Sequence, residues 1–488
     1  MKNLPLKNLQ PQSVWSHFAT LSKIPRPSLK EAALRDHLID WAHALGIVTV
    51  VDNAGNLILK KPASPGYEAA PGVILQGHLD MVCQANAGTV HDFERDAIYP
   101  VVRDGWVIAE QTTLGADNGI GVALALAALE ETGLNHPSLE VLLTINEESG
   151  MDGARELLPE TLQGKTLINL DTEEWGHFYL GCAGGMDVEL SRDCELEKIP
   201  PGFVTLAFEV TGLRGGHSGI DIHLGRGNAI KLMAEALSDF AEHTDLCLIE
   251  MKGGTARNAI PREAYAVIAI SGEADAEHLE EWTQHRLEIW QKRFAESDGD
   301  VSFRCRLGGV ADGKAIRPDE RAQLLGFLDR VANGVSLVSE DFPGVTDTSS
   351  NLGVVALEHG KLKATFKVRS LQDDRADALA DKMVSHAQAH DIQASKQGAY
   401  PGWTPDPTSE LLALCQQVYI EQFGHPANLQ VIHAGLECGL LAASHPHLNM
   451  ISFGPDIRGA HAPGECVEIA SVERCWILLK AVLQRLAA

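Results

Sequence analysis

The sequence predicts an α/β protein of more than one domain, and three observations carry that expectation. The chain has 488 residues, more than a single hydrophobic core usually serves. Short apolar runs of strand character alternate with longer stretches of helical periodicity, the rhythm of a mixed sheet flanked by helices. Acid and histidine clusters follow several of the apolar runs, and open α/β sheets place ligands at strand C-termini.

Taken in order, Ser28-Leu29-Lys30-Glu31 reads as a capping box opening a helix to about Leu45. The runs Ile47–Val51 and Leu57–Leu59 flank the turn Asp52–Asn56 and predict a hairpin. Strands near 73–77, 141–145 and 167–170 alternate with helices near 118–132 and 152–158, and the chain ends in an amphipathic helix over Ser471–Leu486. Between about 187 and 395 the character changes. Strands Val204–Val210 and Ala264–Ile270 and helices Gly227–Phe240 and Asp275–Ala295 carry no acid cluster of this kind. This predicts an inserted domain (187–395) within a discontinuous one (1–186 and 396–488), with Pro401–Pro407 as a rigid return point. Ala256–Pro261 and Ser349–Gly353 each precede a strand-like run, which suggests an internal duplication of the insert.

Composition narrows the function. The balance of 40 basic and 66 acidic residues gives a net charge of −26, which argues against a nucleic-acid partner. The longest apolar stretch, around Val122–Leu129, is too short to span a membrane. The first residues, MKNLPLKNLQPQ, lack the apolar core of a signal peptide. Nine scattered cysteines without CxxC spacing read as reduced thiols of a cytoplasmic protein.

The clusters are Gln76–Asp80, Gly115–Gly119, Asn146–Gly150, Asn169–Thr172 and Gly459–Glu465. Singly each has a plain structural reading: His78 as a core histidine, Asp117 as a helix N-cap, Glu147 and Glu148 as a solvated turn. Together they supply two imidazoles and several carboxylates, a donor set suited to borderline divalent metals. Two adjacent carboxylates at a strand end point in different directions. One can bind a metal while the other faces water, the division of roles that metal-assisted hydrolysis uses.

The stretches GHLDMV, TTLGADNGIGVA, NEESGMDGA, INLDTEE, GGHSG and GAHAPGE resemble the di-zinc exopeptidase and amidohydrolase family of aminoacylases, glutamate carboxypeptidases and dipeptidases. VHDF, YLGCAGG, ARNAIPREA, GAYPGW and IHAGLECGL extend the resemblance over the whole chain, toward members that cleave dipeptides ending in histidine. The resemblance implies a catalytic α/β domain with an inserted α+β lid, whose length and internal repeat suggest the duplication. It implies two divalent ions, zinc foremost, with cobalt or manganese able to substitute. His78, Asp117, Glu148, Asp171 and His461 would be the ligands, Asp117 bridging. Asp80 would orient His78, Glu147 would be the general base, and a cis peptide bond would join Asp117 to Asn118. His217 would stabilise the oxyanion, and Asn258 and Arg369 would hold the substrate backbone and carboxylate. Glu437 is a candidate receptor for a substrate ammonium, with a structural acid as the other reading. The implied reaction is hydrolysis of unblocked dipeptides, preferably Xaa-His, by a water that bridges the metals. N-acyl amino-acid deacylation, tripeptide cleavage and a non-enzymatic metal- or peptide-binding role stay open, as does homodimerisation. The expected partner is a small peptide, with neither nucleic acid nor membrane.

Overall fold

The computed structural model describes residues 6–271 and 276–488; Asp275, where the sequence starts one insert helix, lies outside them. The described chain divides into two compact units. The first gathers the described residues up to Gly181 with Trp403–Val431 and Leu436–Ala488, and the second gathers Cys182–Gly402 with Ile432–Gly435.

In chain order the first unit begins with α1 (Gln12–Leu21), α2 (Ala32–Ala44), β1 (Val48–Val51) and β2 (Leu57–Lys61). It continues with β3 (Val73–His78), α3 (Ala116–Glu130), β4 (Leu139–Thr144), β5 (Thr166–Asn169) and β6 (His177–Cys182). The second unit contains β7 (Gly184–Asp193), β8 (Phe203–Thr211), α4 (Ala229–His243), β9 (Leu246–Gly253), β10 (Ala264–Ser271), α5 (Ala276–Arg293) and β11 (Ser302–Val310). It goes on through α6 (Pro318–Arg330), β12 (Thr346–Glu358), β13 (Lys361–Ser370), α7 (Asp373–Gln388) and β14 (Gln393–Tyr400). The first unit resumes with α8 (Glu410–Phe423), β15 (Asn428–Ile432), α9 (Glu437–Ser444), β16 (Asn449–Ser452) and α10 (Ile469–Ala487). None of the described helices is long and apolar enough to cross a membrane.

The first unit is built on a mixed sheet in the order β1-β2-β4-β3-β5-β16-β6-β15. Its centre is parallel: β3 runs with both β4 and β5, and β16 with β5. Every residue of β3 and β4 is buried. That is why these strands read as unbroken apolar runs rather than alternating ones. α3 is apolar on all sides and buried from Asn118 to Leu129, as a helix covered all round must be. The parallel register brings the C-terminal ends of β3, β4 and β5 to one edge, with His78 opposite Thr144 and Gln76 opposite Asn169.

The second unit has an antiparallel sheet in the order β11-β8-β10-β9-β12-β13-β7-β14. Its two halves repeat one topology. β8-α4-β9-β10-α5-β11 has the strand order 4-1-3-2, and β7-α6-β12-β13-α7-β14 has the same order reversed along the sheet. The pair β9·β12 joins them. The halves are nested rather than tandem, because β7 precedes the whole first half.

Some local expectations change. Ser28-Leu29-Lys30-Glu31 does not cap α2, whose N-terminus has no side-chain cap; the Ser28 hydroxyl instead donates to Asp80 Oδ2 at 2.7 Å. Ser349–Gly353 precedes the run of β13, as expected, but itself lies inside β12, where its polar side chains are buried. The helix expected at 152–158 is a single turn, Asp152–Arg155, preceded by another single turn, Glu147–Gly150.

Candidate active site

The first unit assembles the predicted ligands at the C-terminal edge of its parallel strands. His78 ends β3, Glu147 and Glu148 follow β4, Asp171 follows β5, and Asp117 stands at the start of α3, where the Asp117–Asn118 peptide bond is cis. His461 comes from a late loop and has a left-handed backbone, φ 64°. His78 Nε2 lies 3.0 Å from Asp117 Oδ1 and 3.4 Å from Asp171 Oδ1. His461 Nε2 lies 3.0 Å from Asp117 Oδ2 and 3.1 Å from Glu148 Oε2. Each oxygen of Asp117 therefore faces a different imidazole, one accompanied by Asp171 and the other by Glu148.

Asp80 orders this edge. It lies 3.4 Å from His78 Nδ1 and accepts the backbone N–H groups of Glu147 at 3.0 Å and Glu148 at 3.1 Å. Burial would raise its carboxyl, but the bonds from His78, Ser28 and Glu147 hold it at about 2. Around it, acids crowd. Burial pushes Glu147 well up, with Asp171, Glu437 and Glu148 adding to the rise and His78 opposing it. Burial, with Asp117 and Glu148 and against His78, takes Asp171 to about 7. Hydrogen bonds to Asp117 and Glu148 raise His461 to about 11.

This donor set fits divalent metal. Ligand atoms of His78, Asp117 and Glu148 lie within 4.8 Å of one another, and the buried Glu148 Oε1 has no hydrogen-bond partner. Carboxylates that raise one another's pKa favour the entry of cations.

Glu437 does not sit as a receptor for a substrate ammonium. It is 1% exposed, and its Oε2 accepts bonds from Gln76 and Thr144, both at 2.7 Å. Burial raises the carboxyl to about 8, and its Oε1 has no hydrogen-bond partner.

The second unit brings His217, Asn258 and Arg369 together. His217 pairs with Ala259 across a short antiparallel bridge, and Ser218 N–H donates to the Asn258 carbonyl. His217 Nδ1 accepts from Gly219 and Ile220 N–H at 3.2 and 3.0 Å. The proton of the neutral ring therefore sits on Nε2, which lies 3.4 Å from Arg369 Nη2. Arg369 is buried on β13 and donates to Tyr400 Oη at 2.7 Å. His433 is buried beside this group, with Nε2 2.7 Å from Ser349 Oγ. Only the cross-strand pairing of Ser349 with Arg369 reveals that link.

These histidines give the second unit a pH dependence. Burial and Arg369 lower His217 to about 4, against the pull of Asp221. Burial, Arg369 and His217 lower His433 to about 3, with a smaller push from His223. Between the ordinary value of 6.5 and these values, the unfolded chain binds protons that the folded unit does not. Stability is then full above 6.5 and falls as pH drops toward 3 to 4. Thermal melts from pH 7 to pH 4 should show the loss, and His433→Gln should flatten the slope. An equal slope in that variant would exclude His433 as a source.

The family model for Peptidase family M20/M25/M40 matches residues 74–485. The chain is 42% identical over 484 residues to the cytosol non-specific dipeptidase of Escherichia coli K12, covering 99% of each protein. It is similar to the crystal structure of aminoacylhistidine dipeptidase from Vibrio alginolyticus, with a TM-score of 0.90 and 40% identity over 98% of this chain and 97% of that one. The aminopeptidase PepT structure from Bacillus cereus, at 16% identity and a TM-score of 0.57 over 98% of this chain and 100% of that one, shares the fold. A match that spans nearly the whole chain, on a scaffold that gathers histidine and carboxylate at the strand ends, has one reading: this chain belongs to Peptidase family M20/M25/M40.

Proposed function

We propose that the chain is a cytoplasmic, metal-dependent dipeptidase that hydrolyses unblocked dipeptides, with a preference for C-terminal histidine, using two zinc-type ions. The observation that carries this is Asp117, whose two oxygens face two imidazoles, each with its own second carboxylate. His78 and Asp171 would hold one ion, Glu148 and His461 the other, with Asp117 between. Such ions supply a Lewis acid for the scissile carbonyl and lower the pKa of water.

The chain's own residues do the rest. Glu147 takes the proton of the attacking water and returns it to the leaving amine. Asp80 keeps His78 turned toward the cluster and anchors the Glu147 and Glu148 amides. His217, neutral with its proton on Nε2, donates to the developing oxyanion. Asn258 and Arg369 hold the substrate's backbone and terminal carboxylate, Arg369 through a guanidinium suited to that group. The second unit carries these three.

The histidine preference is supported by the name of the Vibrio relative, whereas the E. coli relative is named non-specific. A kinetic screen separates the two. Xaa-His dipeptides should show higher kcat/KM than matched dipeptides with other C-terminal residues, and N-acetyl amino acids should be poor substrates. Chelation should remove activity, and zinc, cobalt or manganese should restore it. Activity that survives complete metal removal would refute the mechanism. Faster turnover of N-acetyl amino acids would make the chain a deacylase.

A further inference from the structure

Behind the ligand loops lie two buried opposite charges that the steps above do not use. Arg26 and Glu465 are each 2% exposed. Arg26 Nη1 donates to the carbonyls of Leu79 and Asp80 at 2.9 and 2.8 Å, and Nη2 donates to the carbonyl of Gly115. Glu465 receives four consecutive backbone N–H groups. Leu114 and Gly115 donate to Oε2 at 2.7 and 3.0 Å, and Ala116 and Asp117 to Oε1 at 2.7 and 3.3 Å. The guanidinium thus holds the loop before α3 by a carbonyl while the carboxylate holds it by its amides. The same guanidinium also grips the turn after β3. Met81 N–H donates back to the Arg26 carbonyl at 3.2 Å.

The glycines of the GADNG stretch make room for this. Gly115 has φ 69°, and a Cβ there would lie 2.5 Å from Arg26 Nη2; a Cβ on Gly119 would lie 2.6 Å from the same atom. Neither residue could carry a side chain without moving the guanidinium. The spacing of small residues around Asp117 is therefore partly set by a residue some ninety positions earlier in the chain.

We infer that Arg26 and Glu465 are positioning residues. They form one clamp that fixes the Asp117 loop against the His78–Asp80 turn and so presets both cation positions. The inference rests on the metal reading of the site. Residues that orient ligands from behind typically change metal affinity by about 10- to 100-fold when altered. A pair that only held the fold together would change stability and leave affinity alone in variants that fold.

The test uses the full-length chain, with divalent-metal affinity from chelator competition and the visible spectrum of the cobalt-loaded protein. Glu465→Gln keeps the shape of the side chain but turns an amide N–H₂ toward backbone donors. It should weaken cobalt and zinc binding by about 10- to 100-fold and alter the cobalt spectrum, with wild-type circular dichroism. Arg26→Lys, which cannot span both loops, should shift both readouts in the same direction. Gly119→Ala displaces the guanidinium without changing any charge and carries the same test should Glu465→Gln not fold. Folded variants with wild-type affinity and an unchanged cobalt spectrum would overturn the clamp alone. Wild-type protein that takes up no divalent metal would overturn the functional reading, and the clamp's purpose with it.

Discussion

Glu147→Gln is expected to cut turnover by about 10²–10⁴-fold, the range of a lost general base, while metal content stays near wild type. The backbone of Glu147 is fixed by Asp80, and its carboxyl is pressed toward protonation by burial and by three neighbouring acids. A carboxylate in this place can take a proton from water and return it. Glutamine fills the same space without that capacity. Glu148→Gln should do the reverse and lower metal occupancy first, because Glu148 Oε2 shares its imidazole with Asp117. Steady-state kcat and metal analysis on both variants decide the matter. If Glu148→Gln keeps its metal and loses turnover while Glu147→Gln loses metal, the roles are exchanged.

His217→Ala is expected to lower kcat by about 10²–10³-fold, the scale of a removed oxyanion donor, with metals still bound. The ring is neutral and anchored through Nδ1 by two backbone amides, so Nε2–H is presented as a donor. An effect confined to KM would make His217 a binding group instead. The repeated topology of the second unit bears on where the histidine acts. The half that contains β8 supplies His217 and Asn258, and the half that contains β13 supplies Arg369, so one chain carries all three. Mixing His217→Ala with Glu147→Gln chains under subunit exchange should therefore restore no activity. Recovery would show that the histidine serves a partner chain.

What could be read from the sequence was whatever is local. His78, Glu148 and Asp171 stand at the ends of apolar runs, and the parallel register of β3, β4 and β5 converts that into proximity, while Asp117 opens the apolar run of α3. The hairpin β1–β2 was legible for the same reason. Contacts that join a side chain to distant backbone leave no such pattern. Arg26 meets Gly115, and Glu465 meets Leu114, across long stretches of chain. Ser28 shows how a correct local pattern misleads: its hydroxyl suits a helix cap, but Asp80 takes it. Glu437 looked available in a glycine-rich stretch, and only packing shows that Gln76 and Thr144 enclose it. The residues Ile432–Gly435 belong to the second unit although their neighbours on both sides belong to the first. No composition change marks that crossing.

The nested halves of the second unit set an order of events during synthesis. β7 leaves the ribosome early, yet its partners come late, with Gly184 pairing to Ser370 and Ser191 to Gln393. The intervening half can complete its own sheet by Val310, and a ribbon pairing Leu196 with Ile316 and Lys198 with Lys314 closes its two ends together. β7 waits with both edges open until β13 and β14 follow. Pairings so distant in sequence are intrinsically slow, and an unpaired strand invites the wrong neighbour. A nascent chain that has released β11 but not yet β13 holds one half able to finish its sheet and one unpaired strand.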